Sequence, residues 1–129
     1  MITRTEAIDV ARQFIENGLP RTSWFEHVES HLKATVLYGS VAKGTNRDDS
    51  DIDVLLIVPL AIEERYTTGE YFYDYRGQTM DIVLRSIERL RTLADEATDL
   101  FQKEVFRDCE IIAASDDEAQ SLLNKIASI

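Results

Sequence analysis

The 129-residue chain has a single cysteine, Cys109, so no disulfide can form within it, and a reducing cytoplasm is the expected setting. No apolar run approaches the ~20 residues that a helix needs to cross a bilayer. The first residues, Met1 to Glu6, carry no apolar signal core, which leaves no expected membrane segment. Internal repeats, low-complexity tracts and linkers are also missing, so a single domain over residues 1–129 is expected. Basic residues are scarce: 14 Lys and Arg stand against 24 Asp and Glu, for a net charge of −10. Such a surface repels phosphodiester backbones, and no dense Lys/Arg cluster offers a groove against that field. Work on a DNA or RNA template is therefore disfavoured. Acidity suits a basic partner or a cationic small molecule, and it serves solubility at least as well.

What is present is an ordinary globular balance, 44% apolar and 29% charged, in a chain long enough to bury a real core. Thr3 with Glu6 resembles a capping box, after which Ile8, Ala11, Phe14 and Ile15 recur at helical spacing until Asn17-Gly18 and Pro20; this predicts a first helix. Ser23 with Glu26, followed by Trp24 or Phe25, Val28 and Leu32, predicts a second, shorter one. Ala34 to Tyr38 reads as a strand running into a loop, with a single helical turn expected at Ser40. Ile52 to Val58 is apolar on both faces except at Asp53, as in a central, covered strand.

Glu70 to Tyr75 and Gln78 to Leu84 flank Arg76-Gly77, a two-residue hairpin signal that places Asp81 inside an apolar strand. Ser86 then opens a helical stretch to about Ala94, and a second periodic segment covers Leu100 to Phe106. Glu110 to Ala113 reads as a short edge strand, and Ser115 with Glu118 caps a final helix carrying Ala119, Leu122, Leu123 and Ile126.

Chemistry concentrates between Gly39 and Asp81. Asp51 and Asp53 occupy alternate positions at the start of a strand, so their carboxylates share one face and can share divalent cations. Carboxylates among strand residues are rarely buried unless paired or metal-bound, and oxygen ligands of this kind suit magnesium. A third carboxylate on an adjacent strand would complete a two-metal site for attack on phosphorus. Asp81 fills that place better than Asp74, which lies near the exposed end of the hairpin. Taken alone, Asp51 also fits a solvated strand entry.

Spacing excludes other motifs. Asp49, Asp51 and Asp53 imitate a calcium loop, but Val54 and Leu60 stand at its glycine and glutamate positions. Gly39 to Gly44 has P-loop glycine spacing, yet Thr45 and Asn46 replace the required lysine and hydroxyl. His27 and His31 lie four apart on the expected second helix, and solvated positions suit them better than a zinc site. Cys109 reads as a small buried apolar residue. Tyr71, Tyr73 and Tyr75 share one strand face, where sheet packing is the expected role and bordering an acceptor site the alternative.

Leu37 to Gly44, followed by Ser50 to Leu55, resembles the signature of the DNA polymerase β-type nucleotidyltransferase superfamily, and the short gap resembles its minimal nucleotidyltransferase branch. The resemblance implies an α/β (α+β) fold, a mixed central β-sheet with flanking helices. It implies transfer of a nucleoside monophosphate from a nucleoside triphosphate, with ATP the expected donor and two Mg2+ ions as cofactors. Gly39 and Ser40 would hold phosphates, with Lys43 and Arg47 near enough in sequence to assist. Asp51 and Asp53 would hold both ions, and Asp81 would complete the shell and help deprotonate the acceptor hydroxyl.

Members of the minimal branch resemble antitoxins working beside a helical HEPN-type partner, some adenylylating tyrosines on it, and a protein acceptor is expected here. Relatives that modify aminoglycosides or lincosamides carry added helices for the acceptor, for which little chain follows Asp81. A non-catalytic nucleotide- or partner-binding module is the remaining alternative. Pairing of the Cys109 to Ala113 edge with another chain, giving a homo-oligomer, is left open.

Overall fold

The computed structural model describes residues 3–38, 52–66, 71–95 and 109–127. Helix α1 (Arg4–Gln13) begins at Thr3, whose Oγ1 accepts from the Glu6 amide at 3.1 Å and donates to the Glu6 carboxylate. The helix widens into a π-turn at Phe14–Gly18 and tightens into a 3-10 turn at Leu19–Arg21, where Pro20 sits. Gly18 is required by closeness, since a Cβ there would stand 2.6 Å from the Phe14 ring.

The predicted second helix does not form. Two separate 3-10 turns, Phe25–His27 and Glu29–His31, occupy the segment. A 3-10 turn eclipses residues three apart, and Phe25 and Val28, three apart, are the two buried here, at 4% and 0% exposed. Leu32 is already extended.

Five strands form one sheet: β1 (Ala34–Tyr38), β2 (Ile52–Val58), β3 (Tyr71–Tyr75), β4 (Gln78–Ser86) and β5 (Glu110–Ala114). Their order is β3-β4-β2-β1-β5, with β2 and β4 parallel and every other pair antiparallel. The expected mixed sheet is the one observed. β2 is its middle strand, and from Val54 to Val58 it is buried on both faces, as its unbroken apolar run requires. Burial of each such side chain contributes about 1.5–3 kcal/mol. After β2, helix α2 (Leu60–Tyr66) and β3 carry the chain back to start β4 beside it.

Arg76 and Gly77 both take positive φ, 50° and 81°, and Tyr75 pairs with Gln78. That is the backbone of a type I′ turn, whose twist suits a two-residue hairpin. Arg76 Nη1 also donates to Gln13 Oε1, tying the turn to α1.

Strand parity divides the core. On one face Leu37, Ile52, Val54, Leu56, Met80 and Ile82 pack against α1 and the turns after it. On the other, Val36, Leu55 and Ile57 are covered by Leu90 of α3 (Ile87–Asp95) and by Leu123 and Ile126 of α4 (Asp117–Ala127). Ser86 ends β4 and accepts from the Arg89 amide, so it caps α3 as expected. The cap of α4 is Asp116 rather than Ser115. Asp116 Oδ1 accepts from the Ala119 amide at 2.9 Å, while the Ser115 hydroxyl donates to Leu32 O. A carboxylate is the stronger acceptor for an orphan helix amide, and Lys33 holds its other oxygen at 3.2 Å. The expected segment Leu100 to Phe106 lies outside the described residues.

Candidate active site

Asp53 is the second residue of β2, and Asp81 is the fourth of β4. Because the two strands run parallel, with Ile52 opposite Met80, Asp53 and Asp81 are register partners. Partners in a ladder project from the same face about one strand spacing apart, ~4.8 Å. The row continues on both sides: Tyr38 of β1 faces Asp53, and Phe72 of β3 faces Asp81. Four neighbouring strands thus set Tyr38, Asp53, Asp81 and Phe72 in one line across the sheet.

The line lies on the face that α3 and α4 cover, but near the end of β2 where Ile52 enters, two residues beyond the Val36 and Leu55 pair. Asp53, Asp81 and Tyr38 are half-buried there, and Phe72 is exposed. The Asp81 Oδ1 atom is shielded from solvent. Two carboxylates brought this close repel by a few kcal/mol at an effective dielectric near ~20. A divalent cation between them would turn that repulsion into attraction, and carboxylate oxygens are the donors that magnesium takes. The pair therefore fits a hard cation. Among the described residues no group of three or more His, Cys, Asp and Glu side chains gathers as metal ligands.

Gly39, Ser40, Lys43, Arg47 and Asp51 lie outside the described residues. Tyr38 is the residue that leads into Gly39-Ser40, and Ile52 follows Asp51, so both segments join the sheet at the ends of the Tyr38 and Asp53 pair. Asp74 pairs with Thr79 instead, accepting from its hydroxyl at 3.1 Å, two positions nearer the turn and exposed.

The three tyrosines occupy the opposite face and do not border the aspartates. Tyr73 and Tyr75 pack on Phe14, with ring centroids 5.7 and 5.6 Å away, and Trp24 stacks on Tyr71 at 4.6 Å. Trp24 Nε1 donates to Tyr73 Oη at 2.7 Å. Burial, reinforced by Tyr66 and Tyr73, pushes the Tyr71 phenol above its ordinary value. Sheet packing is their role. His27 and His31 fall in different 3-10 turns and are exposed, so no helix places them on one face. Cys109 is half-buried against the second core cluster.

Tyr38 and Phe72 were not singled out by sequence reasoning, although a signal for Phe72 existed. A two-residue turn at Arg76-Gly77 fixes Tyr75 against Gln78, and counting back three pairs reaches Phe72 against Asp81.

A family model described as polymerase beta, nucleotidyltransferase matches residues 24–118. The match takes in β1 to β5 and the whole aspartate row, and the chain belongs to this family. Among solved structures, the chain is similar to a nucleotidyltransferase-like protein from Exiguobacterium sibiricum, with a TM-score of 0.51 at 14% identity. The likeness covers 84% of this chain and 37% of that one, so this chain spans little more than a third of that protein's length. At that identity the likeness concerns the fold. No curated protein matches the chain. Among the described residues no helix is long and apolar enough to cross a membrane.

Proposed function

We propose that this domain is a magnesium-dependent nucleotidyltransferase that moves a nucleoside monophosphate, with ATP as donor, onto an acceptor hydroxyl. The observation that carries the reading is the register of Asp53 against Asp81 beside the strand leading into Gly39-Ser40, in a chain of this family. Asp51, Asp53 and Asp81 would hold Mg2+, and Gly39, Ser40 and Lys43 would hold the triphosphate. Bound magnesium would neutralise the triphosphate and leave its α-phosphorus open to attack.

The chain's own part is alignment and proton handling. The acceptor oxygen bonds to the α-phosphorus, the bond from that phosphorus to the bridging oxygen breaks, and pyrophosphate leaves. The hydroxyl proton passes to the Asp81 carboxylate. In the described part of the chain after Asp81, α3 and α4 are engaged in covering the sheet through Leu90, Leu123 and Ile126. That packing supports an acceptor carried on another molecule. The resemblance to the minimal branch favours a HEPN-type partner protein, with this chain in an antitoxin role.

The test is incubation of the purified protein with Mg2+, its co-purifying partner and ATP labelled on either the α- or the γ-phosphorus. Label from the α-position should reach the partner, and Asp53→Ala should abolish it. Equal labelling by the variant, or transfer of the γ-label instead, contradicts the reading.

A further inference from the structure

The sheet has two edges, and they are not alike. At β5 the pairing with β1 slips between Thr35 and Val36, an irregularity of the kind that blunts an edge against further strands. At β3 the pairing with β4 runs unbroken from Tyr71 to Tyr75. That strand holds no proline and no lysine, and Asp74 is its one charge. Among the described residues no strand lies beyond it.

The turn decides which backbone groups β3 leaves over. In a two-residue hairpin the residues flanking the turn, here Tyr75 and Gln78, exchange both backbone bonds, and the exchange recurs at every second pair. Tyr75, Tyr73 and Tyr71 therefore direct their amides and carbonyls at β4. Phe72 and Asp74 direct theirs outward, and no backbone bond among the described residues takes them. The side chains of these same two residues stand on the aspartate face, with Phe72 one strand spacing from Asp81, ~4.8 Å.

Phe72 is 51% exposed. Val83, two residues beyond Asp81 on the same face, is its diagonal neighbour and packs on the core beneath α3. The two form a short apolar strip, covered at Val83 and open at the edge. Asp74 lies two residues toward the turn and is exposed; the Thr79 hydroxyl that donates to it leaves the carboxylate its charge. Arg76 is tied to Gln13. The edge thus presents a ring and a negative charge two residues apart, with outward backbone groups at both.

We infer that β3 takes a sixth strand, an extended terminus or loop of a partner protein, added antiparallel with an apolar residue opposite Phe72 and a lysine or arginine opposite Asp74. A helix has no free backbone groups to offer an edge, so the segment is extended. Alternation sets those two residues on the aspartate face and the one between them beside Tyr73 on the other. The net charge of −10 favours the basic residue. A second copy of the chain complements the edge less well, since Tyr71–Tyr75 has no cation to set against Asp74. The inference rests on the proposed function only in taking this partner to be the acceptor, and strand addition itself involves no transfer step.

Amide hydrogen exchange followed by NMR on the full chain, without nucleotide, tests it. The probe is a short blocked peptide alternating valine and lysine, compared with a valine and glutamate version and with a backbone N-methylated version. Chemical-shift titration gives each dissociation constant. At about ten times that constant, the lysine peptide should slow exchange at Phe72 and Asp74 about tenfold. Tyr71, Tyr73 and Tyr75, already bonded to β4, should change little. The glutamate peptide should bind at least about fivefold more weakly, and Asp74→Lys should reverse the preference. Phe72→Pro removes an outward amide without touching the β4 ladder, so it should abolish protection at Asp74, with thermal melting checking its fold.

Equal binding of the N-methylated peptide overturns the inference, as does unchanged exchange at Phe72 and Asp74 under the lysine peptide. Protection of those amides in the free monomer overturns it too, and so does protection that rises with protein concentration alone, which gives the edge to a second copy. Transfer of α-label with an edge that takes no peptide sinks the inference alone. Edge docking without α-label transfer sinks the transfer reading and leaves the docking surface standing.

Discussion

At the Val58 end of β2, Glu63 is 1% exposed and its carboxylate meets the Arg89 guanidinium at 3.0 Å. At the Ile52 end, strand register sets Asp53 beside Asp81, a second carboxylate. The first region carries its own cation on α3 and reinforces the junction through Glu88, which accepts from the Leu60 amide at 3.0 Å. The second concentrates like charge on one face of the sheet. A carboxylate with a cation built in serves the fold, because burial is offset within the molecule. Carboxylates placed side by side repel one another, and a divalent cation bound between them would relieve that cost. The two ends of one strand thus separate a structural acid from acids suited to binding.

The comparison breaks most sharply if substitutions at the two ends act alike. Asp53→Asn should lower nucleotidyl transfer by roughly a hundredfold or more, on the scale of losing one transition-state stabilising group, with little change in melting temperature. Labelled-nucleotide transfer and calorimetry on the same preparation measure both. Arg89→Met should do the opposite, costing about 1–3 kcal/mol of stability by stranding Glu63, discounted because Arg89 is itself largely exposed. Nucleotide binding should persist in that variant, and denaturant unfolding gives the size of the loss.

A smaller effect is expected at the α4 cap. Asp116→Ala should cost about 1 kcal/mol, as other N-cap carboxylate losses do. The Ala119 amide, with help from Lys33, holds the Asp116 carboxyl below its ordinary 3.8, and Arg91 holds Glu118 below 4.5. Folded values below unfolded ones mean that this stabilisation is complete above the ordinary values and is lost as pH falls through the lowered ones. Melting temperature should therefore decline on acidification below about 4.5, less steeply in Asp116→Ala, and a pH series of melts checks the difference.

The smallest effect concerns the hairpin that brings Phe72 to Asp81. At Gly77, φ is +81° and a Cβ would meet nothing within 4 Å, so Gly77→Ala carries only a conformational cost, about 1 kcal/mol. Amide exchange across the Tyr75 and Gln78 pair should quicken while the register holds.

Much of this geometry was readable from local chemistry. The unbroken apolar run of β2, the Arg76-Gly77 turn and the Thr3 and Ser86 caps are short-range signals, and each appears where expected. The 3-10 turns after Ser23 were not, because Phe25 and Val28 satisfy either helical period and tertiary burial chose the tighter one. Ser115 lost its cap to Asp116 because Leu32 O, remote in sequence, takes its hydroxyl. The pairing of Asp53 with Asp81 needed the β2 to β4 crossover register, which no local pattern encodes. The aromatic beside Asp81 was a matter of parity: Tyr71, Tyr73 and Tyr75 face Phe14 and Trp24, and Phe72 between them faces the aspartates.

The central claim is that Asp53 and Asp81 together hold a divalent cation. Electron paramagnetic resonance of Mn2+ titrated into the protein with a non-hydrolysable ATP analogue tests it without requiring turnover. The wild type and Arg89→Met should bind the ion alike, while Asp53→Asn and Asp81→Asn should each weaken binding at least about tenfold. Unchanged Mn2+ binding in both aspartate variants would contradict the account.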